Sequence, residues 1–250
     1  MRSGSPEKER LASASTRPNV PPMTNPGRLL VPRLIACWAL GSTAVSAAET
    51  GSLTGTVPLP ARRTGRIAIE KYTGSISGKV GPPPPAVAAV WLEAPGLSAP
   101  AQPPRLSFTQ KAYQFAQSLL VVPRGTVVEF PNEDPDYHNI FSLSRPLRFD
   151  LGRYKPDEKP QPSVTFDRPG LVRLQCEIHE HMKALVRVVD SPHFTTSDTQ
   201  GKFTLTGVPA GTYTLHAQTD EKNLWRATIT VVPRQVTPVS LSPAPPTPAP

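Results

Sequence analysis

Sulfur is scarce in this chain, with two cysteines and three methionines among 250 residues. Past residue 48 one of each remains, Cys176 and Met182, and both fall in a single run, Cys176-Glu177-Ile178-His179-Glu180-His181-Met182. A lone cysteine excludes an internal disulfide, which leaves an intermolecular crosslink, a reactive thiol or a metal ligand. Runs of basic residues are also missing. The net charge is +8, half of it carried before residue 49, and acids and bases are interspersed from Glu129 to Arg187 without aromatic interleaving. That pattern argues against a nucleic-acid surface. No apolar run reaches membrane-spanning length, no segment past residue 48 has an apolar helical period, and no nucleophile–base pair stands out as a catalytic constellation.

The longest apolar stretch, Leu34 to Ala48, is 15 residues, too short for a bilayer span. Arg28 and Arg33 precede it and Val45-Ser46-Ala47-Ala48 ends it, the form of a secretory leader with a small-residue cleavage site. Translation is expected to start at Met23, which gives a leader of ordinary length. Leu34-Ile35-Ala36-Cys37 resembles a lipobox, but Pro32 and Arg33 leave almost no apolar run ahead of Cys37, so lipoprotein anchoring is the less favoured reading. The expected location is the periplasm.

Short β-branched or alternating runs between proline and glycine turns predict an all-β chain. They are Ala86–Glu93, Leu119–Val122, Thr126–Phe130, His138–Leu143, Val164–Phe166, Leu171–Cys176 and Ala184–Val189, then Lys202–Leu205, Thr212–Leu215 and Arg226–Val232. This spacing suits a sandwich or Greek-key barrel with ligand loops at one end. Gly51–Val57 and Gly74–Val80 share a pattern 23 residues apart, either a duplicated strand or a chance match. Ser242–Pro250 holds five prolines and reads as an extended tail.

The thiolate of Cys176, the imidazole of His179 and the thioether of Met182 are the ligand types of a trigonal blue-copper site, provided a second histidine comes from elsewhere. His138, in Tyr137-His138-Asn139, is the candidate. Other residues read more plainly. His181 is taken as solvated, His193 and His216 as structural or exposed, and Glu133, Asp134 and Asp136 as a solvated turn and not a calcium site.

Phe130-Pro131-Asn132-Glu133-Asp134 through His138-Asn139-Ile140-Phe141, then Phe149-Asp150-Leu151-Gly152-Arg153-Tyr154, Phe166-Asp167-Arg168-Pro169-Gly170 and the Cys176–Met182 run resemble the plastocyanin- and amicyanin-like periplasmic proteins of the methylamine-utilisation-like group. Asp198 to Leu215 resembles the transthyretin-like, carboxypeptidase-regulatory type of β-unit found after the copper domain in that group. The resemblance spans about residues 86 to 232. It implies copper as cofactor, His138, Cys176 and His179 as equatorial ligands and Met182 as the axial one, with the backbone N–H of Asn139 directed at the sulfur.

The expected fold is therefore all-β, a cupredoxin Greek-key sandwich plus a small transthyretin-like β-sandwich unit. Its parts are a leader (1–48), N-terminal strands and a proline-rich linker (49–104), a cupredoxin domain (105–190), a carboxypeptidase-regulatory-like β-unit (191–235) and a disordered tail (236–250). The first strands of the β-unit could instead come from around Gly74 to Glu93, with the copper domain inserted between. The expected function is single-electron transfer by an exported type 1 copper protein with a redox protein as partner, and not an enzyme. A periplasmic copper carrier, a metal-free cupredoxin-fold binding module and a thiol enzyme using Cys176 with His179 are the alternatives.

Overall fold

The computed structural model describes residues 49–61 and 76–243; the expected leader lies outside the described residues. Among them every regular element is a strand. In chain order these are β1 (Thr50–Thr56), β2 (Ala89–Glu93), β3 (Arg105–Ser107), β4 (Gln110–Lys111), β5 (Gln114–Phe115), β6 (Leu119–Pro123), β7 (Thr126–Glu129), β8 (His138–Leu143) and β9 (Arg148–Tyr154). There follow β10 (Ser163–Phe166), β11 (Gly170–Gln175), β12 (Lys183–Val189), β13 (Phe194–Thr196), β14 (Lys202–Pro209), β15 (Gly211–Gln218), β16 (Leu224–Val231), β17 (Val236–Val239) and β18 (Ser242–Pro243).

One half of the fold packs the sheet β6-β12-β11-β8-β9 over the sheet β10-β7-β3. Alternation along the strands sends every second side chain inward. Ala184, Val186 and Val188 of β12 thus meet Val172 and Leu174 of β11, Ile140 of β8, Val128 of β7 and Phe166 of β10 in one core, which also contains Cys176 and Met182. The other half packs β13-β2-β15-β16-β18 over β14-β1-β17, with Leu53, Val90, Leu92, Phe203, Leu205, Leu215 and Ile229 between them.

The second half does not begin at residue 191. β1 pairs antiparallel with β14 and parallel with β17, and β2 pairs with β13 and β15. The strands preceding the first half complete the sheets that follow it, so β3 to β12 are inserted within the β-unit. Cutting the chain into 49–104, 105–190 and 191–235 hides this, because antiparallel partners distant in sequence leave no local mark. The segment expected as a tail from residue 236 also differs. Val236–Val239 is β17, an edge strand on β1, and the edge position is where Pro238 is tolerated in a ladder. Of the Gly51–Val57 and Gly74–Val80 pair, the first contains most of β1, whereas the described part of the second, from Ile76, is irregular.

β2 is buried on both faces. Val90 and Leu92 enter the core of their own half, whereas Ala89 and Trp91 join Leu119 and Val121 of β6 and Val189 of β12 in a third cluster that fuses the halves. There the Trp91 ring stacks on His216 of β15, centroids 5.0 Å apart and planes within 9°, and the Arg187 guanidinium of β12 lies 4.2 Å above the Trp91 ring. The Glu93 carboxylate accepts from Trp91 Nε1 at 2.8 Å and lies 3.0 Å from His216 Nε2.

A chain ending at Asp190 keeps every proposed ligand but strips β1 and β2 of β13, β14, β15 and β17. It is expected to be unfolded or insoluble, as judged by circular dichroism and gel filtration; a folded, soluble product contradicts the insertion. Trp91→Ala should cost about 3–5 kcal/mol, the range for removing a buried aromatic side chain. Because that cluster is shared, calorimetry should show one transition moving down, and two separated transitions would mean independent halves.

Candidate metal centre

The site is built where β8 begins and β11 ends. β11 runs antiparallel to β8 with Gln175 opposite Phe141, so the chain leaving β11 passes beside His138 and Asn139. The connection to β12 is tied by its own backbone: Met182 N–H donates to His179 C=O at 2.8 Å and Cys176 N–H to Met182 C=O at 3.4 Å. Gln175 and Lys183 then pair as the two strands start. The Asn139 side chain fixes the approach, donating to Asp150 Oδ1 at 2.7 Å and accepting from the Glu177 N–H at 3.2 Å.

This brings three of the four candidates together atom to atom. Cys176 Sγ lies 3.9 Å from His138 Nδ1 and 3.7 Å from His179 Nδ1, and the two nitrogens are 3.2 Å apart. A triangle with these edges has its centre about 2.1 Å from each corner, within reach of metal–nitrogen and metal–sulfur bonds of about 2.0–2.3 Å. The residues present therefore fit a metal ion. Met182 is fully buried in the same core as Cys176. Among the described residues, His138, Cys176 and His179 are the one His/Cys/Asp/Glu group so arranged.

Burial pushes the Cys176 thiol up, but the two imidazoles and the backbone N–H groups of Asn139 and His179 outweigh it and lower the pKa from 9.0 to about 6. A thiol so placed is readily a thiolate, the form that binds metal. His138 is held from behind. Its Nε2 is 2.9 Å from Asp134 Oδ2, and because a carboxylate only accepts, Nε2 carries the proton and Nδ1 faces the cluster. Burial works against the charged imidazole, yet Asp134 and Cys176 together raise the His138 pKa.

Sequence reading missed what holds the site. Asp134, read as a solvated turn residue, is 4% exposed, and its carboxylate also accepts from the N–H groups of Ala112 and Tyr113 at 2.6 and 2.9 Å. Asn132 sets this turn: Nδ2 donates to Asp136 C=O and Tyr154 C=O, and Oδ1 accepts from the Asp134 N–H. Glu133 pairs with Lys111 at the surface, so the three acids do not converge. Tyr113, in the β4–β5 turn, packs against both imidazoles, its centroid 5.7 Å from His138 and 5.4 Å from His179. Its hydroxyl donates to Asp136 Oδ2 at 2.6 Å. His181, expected in solvent, is half-buried with Nε2 2.8 Å from Tyr113 C=O. Asp134 stands four residues before His138, a local signal that could have found it; Tyr113 lies 25 residues upstream and carried none.

Residues 182–242 match the family model described as the carboxypeptidase regulatory-like domain. No curated protein matches the chain. Solved structures that are similar include a copper-containing nitrite reductase, NirK, from Thermus scotoductus SA-01, at 27% identity and TM-score 0.33, covering 40% of this chain and 25% of that one. A purple cupredoxin from Nitrosopumilus maritimus is 21% identical with TM-score 0.30, covering 34% of this chain and 99% of that one. An oxidized amicyanin mutant is 20% identical with TM-score 0.32, covering 34% and 82%.

The Asp136 carboxyl is drawn down from 3.8 to about 2 by the Ser77 N–H, the Tyr113 hydroxyl and the Ser77 hydroxyl. A depressed folded value means its contribution is complete above about pH 3.8 and disappears as pH falls toward 2. Denaturant midpoints of the metal-free protein should therefore fall across that window more steeply than those of Asp136→Asn; parallel curves would show that the pairing contributes nothing.

Proposed function

We propose that the chain is an exported type 1 copper protein acting in single-electron transfer, with a redox protein as partner. The observation that carries the reading is the buried triangle of Cys176 Sγ, His138 Nδ1 and His179 Nδ1, sized for one ion. One thiolate and two imidazoles in a plane, with a weak axial thioether, are the donor set of electron-transfer copper. Zinc sites of this type instead take four strong ligands or keep a water in the fourth position.

Copper, when bound, supplies a one-electron couple. The rest is done by the chain. Cys176 enters as a thiolate because its surroundings favour the anion, and the Asn139 and His179 N–H groups hold the sulfur in place. His138 presents Nδ1 because Nε2 is committed to Asp134. The backbone bonds closing the Cys176–Met182 loop tie His179 and Met182 to Cys176, which would limit rearrangement on a change of oxidation state. Met182, buried in the same core, would supply the weak thioether ligand. Export rests on the apolar stretch Leu34–Ala48 and its flanks, and no helix of the described residues is long and apolar enough to cross a membrane.

Copper titration of the purified chain should develop an intense sulfur-to-copper charge-transfer band that saturates at one ion per chain, and Cys176→Ser should lose it entirely. Retention of the colour in that variant would refute the assignment. Met182→Gln should keep copper and lower the reduction potential, read by redox titration; an unchanged potential assigns the axial position elsewhere.

A further inference from the structure

The four residues assigned to copper are at most 3% exposed. What shields them includes an element that the ligand motif does not contain. The β4–β5 turn crosses the site through Ala112 and Tyr113, both in the left-handed region with φ of 52° and 56°. Two successive non-glycine residues there are unfavourable unless their surroundings impose it. The imposing groups are visible: Asp134 accepts both N–H groups, Ala112 C=O accepts from the Gly81 N–H at 2.7 Å, and Tyr113 C=O meets His181 of the ligand loop. The result is a Tyr113 ring laid across His138 and His179.

The ring is itself clamped from outside. The exposed segment around Ser77 and Gly78 crosses above it. Ser77 donates its N–H and its hydroxyl to Asp136 at 2.6 and 2.7 Å, and the same carboxylate holds the Tyr113 hydroxyl. Gly78 lies directly on the ring, since a Cβ there would stand 2.8 Å from Tyr113 Cε2. Tyr113 is consequently only 1% exposed.

We propose that Tyr113 is the residue that closes the centre to exogenous ligands, so that electrons reach it while water and small anions do not. This rests on the copper reading and deepens it. An ion held by these three donors would be open to an exogenous ligand wherever no side chain covers it, and Tyr113 is the ring packed against both of its histidines. Tyr113 acts here as a positioning residue: it fills space against the two imidazoles instead of ligating, and the Ser77–Gly78 strap keeps it seated.

The test uses the full chain loaded with Cu(II), with azide as the probe, followed by visible absorption and electron paramagnetic resonance. The wild-type spectra should not change at millimolar azide, and bulk-water proton relaxation should show no coordinated water. Tyr113→Ala should acquire an azide-to-copper band, weaken the thiolate band and enhance water relaxation. Where the alanine variant does not retain copper, Tyr113→Gly, which suits the left-handed backbone and likewise removes the ring, serves in its place with the same expected response. An azide response in the wild type overturns the proposal, and so does a copper-loaded Tyr113 variant as inert as the wild type. The thiolate band before azide is added reports the copper reading separately: a chain that takes up copper without that band refutes type 1 copper while the azide comparison is still read by resonance.

Discussion

The Asp134 carboxylate is the group on which the site depends. It is an acceptor with three N–H donors, one on the candidate ligand His138 and two in the turn that carries Tyr113. Burial alone would raise its pKa, but the bonds from His138, Tyr113 and Ala112 outweigh this and keep the carboxyl below its ordinary value. A buried anion without such partners would be strongly unfavourable. The side chain therefore does three jobs at once: it fixes the tautomer of His138, holds two residues in left-handed backbone and sets the Nδ1 edge of one imidazole relative to the Tyr113 ring packed on it. Carboxylates behind ligating imidazoles are a common means of orienting metal ligands; here the same carboxylate also positions the cover.

Much of this was legible in the sequence. The strands of the metal-site half come out close to their predicted bounds, Thr126–Glu129 and Lys183–Val189 among them, because alternation and turn residues are local signals. Cys176, His179 and Met182 are read from one heptapeptide, and His138 follows from the need for a second imidazole. What escaped were relations between distant residues. Thr50–Thr56 pairs with Lys202–Pro209 across most of the chain, and nothing in either run names the other. Arg148–Tyr154 was not foreseen as a strand from its pattern because its face is largely exposed, which leaves little hydrophobic alternation to see. The acids before His138 were read by composition, and composition cannot distinguish a solvated aspartate from one facing three N–H donors.

The two halves share buried surface for a reason that follows from period-two geometry. A strand has two faces, and β2 spends both on cores: one in the β-unit, one against β6 and β12. Such a strand cannot be removed from either half without exposing apolar surface in the other. The stack of Arg187, Trp91 and His216 adds direction to that contact, because a guanidinium over an indole and an imidazole parallel to it are satisfied in few relative orientations.

The metal site and this interface are joined by continuous backbone. Met182 ends the ligand loop and Lys183 begins β12, which carries Ala184, Val186 and Val188 into the metal-site core and, further along, Arg187 over Trp91 and Val189 into the shared cluster. β12 is hydrogen-bonded on both sides, to β11 and to β6. No linker separates the loop from the β-unit. The match to the regulatory-like family model likewise begins at residue 182, on the last residue of that loop. The β-unit is thus part of the frame around the candidate ligand loop: its strand β2 packs on the outer face of β12 through Trp91, and β12 continues directly from the carboxyl end of the Cys176–Met182 turn. Strand pairing of this kind favours a rigid site, which suits the proposed electron transfer, where ligands need to move little between oxidation states.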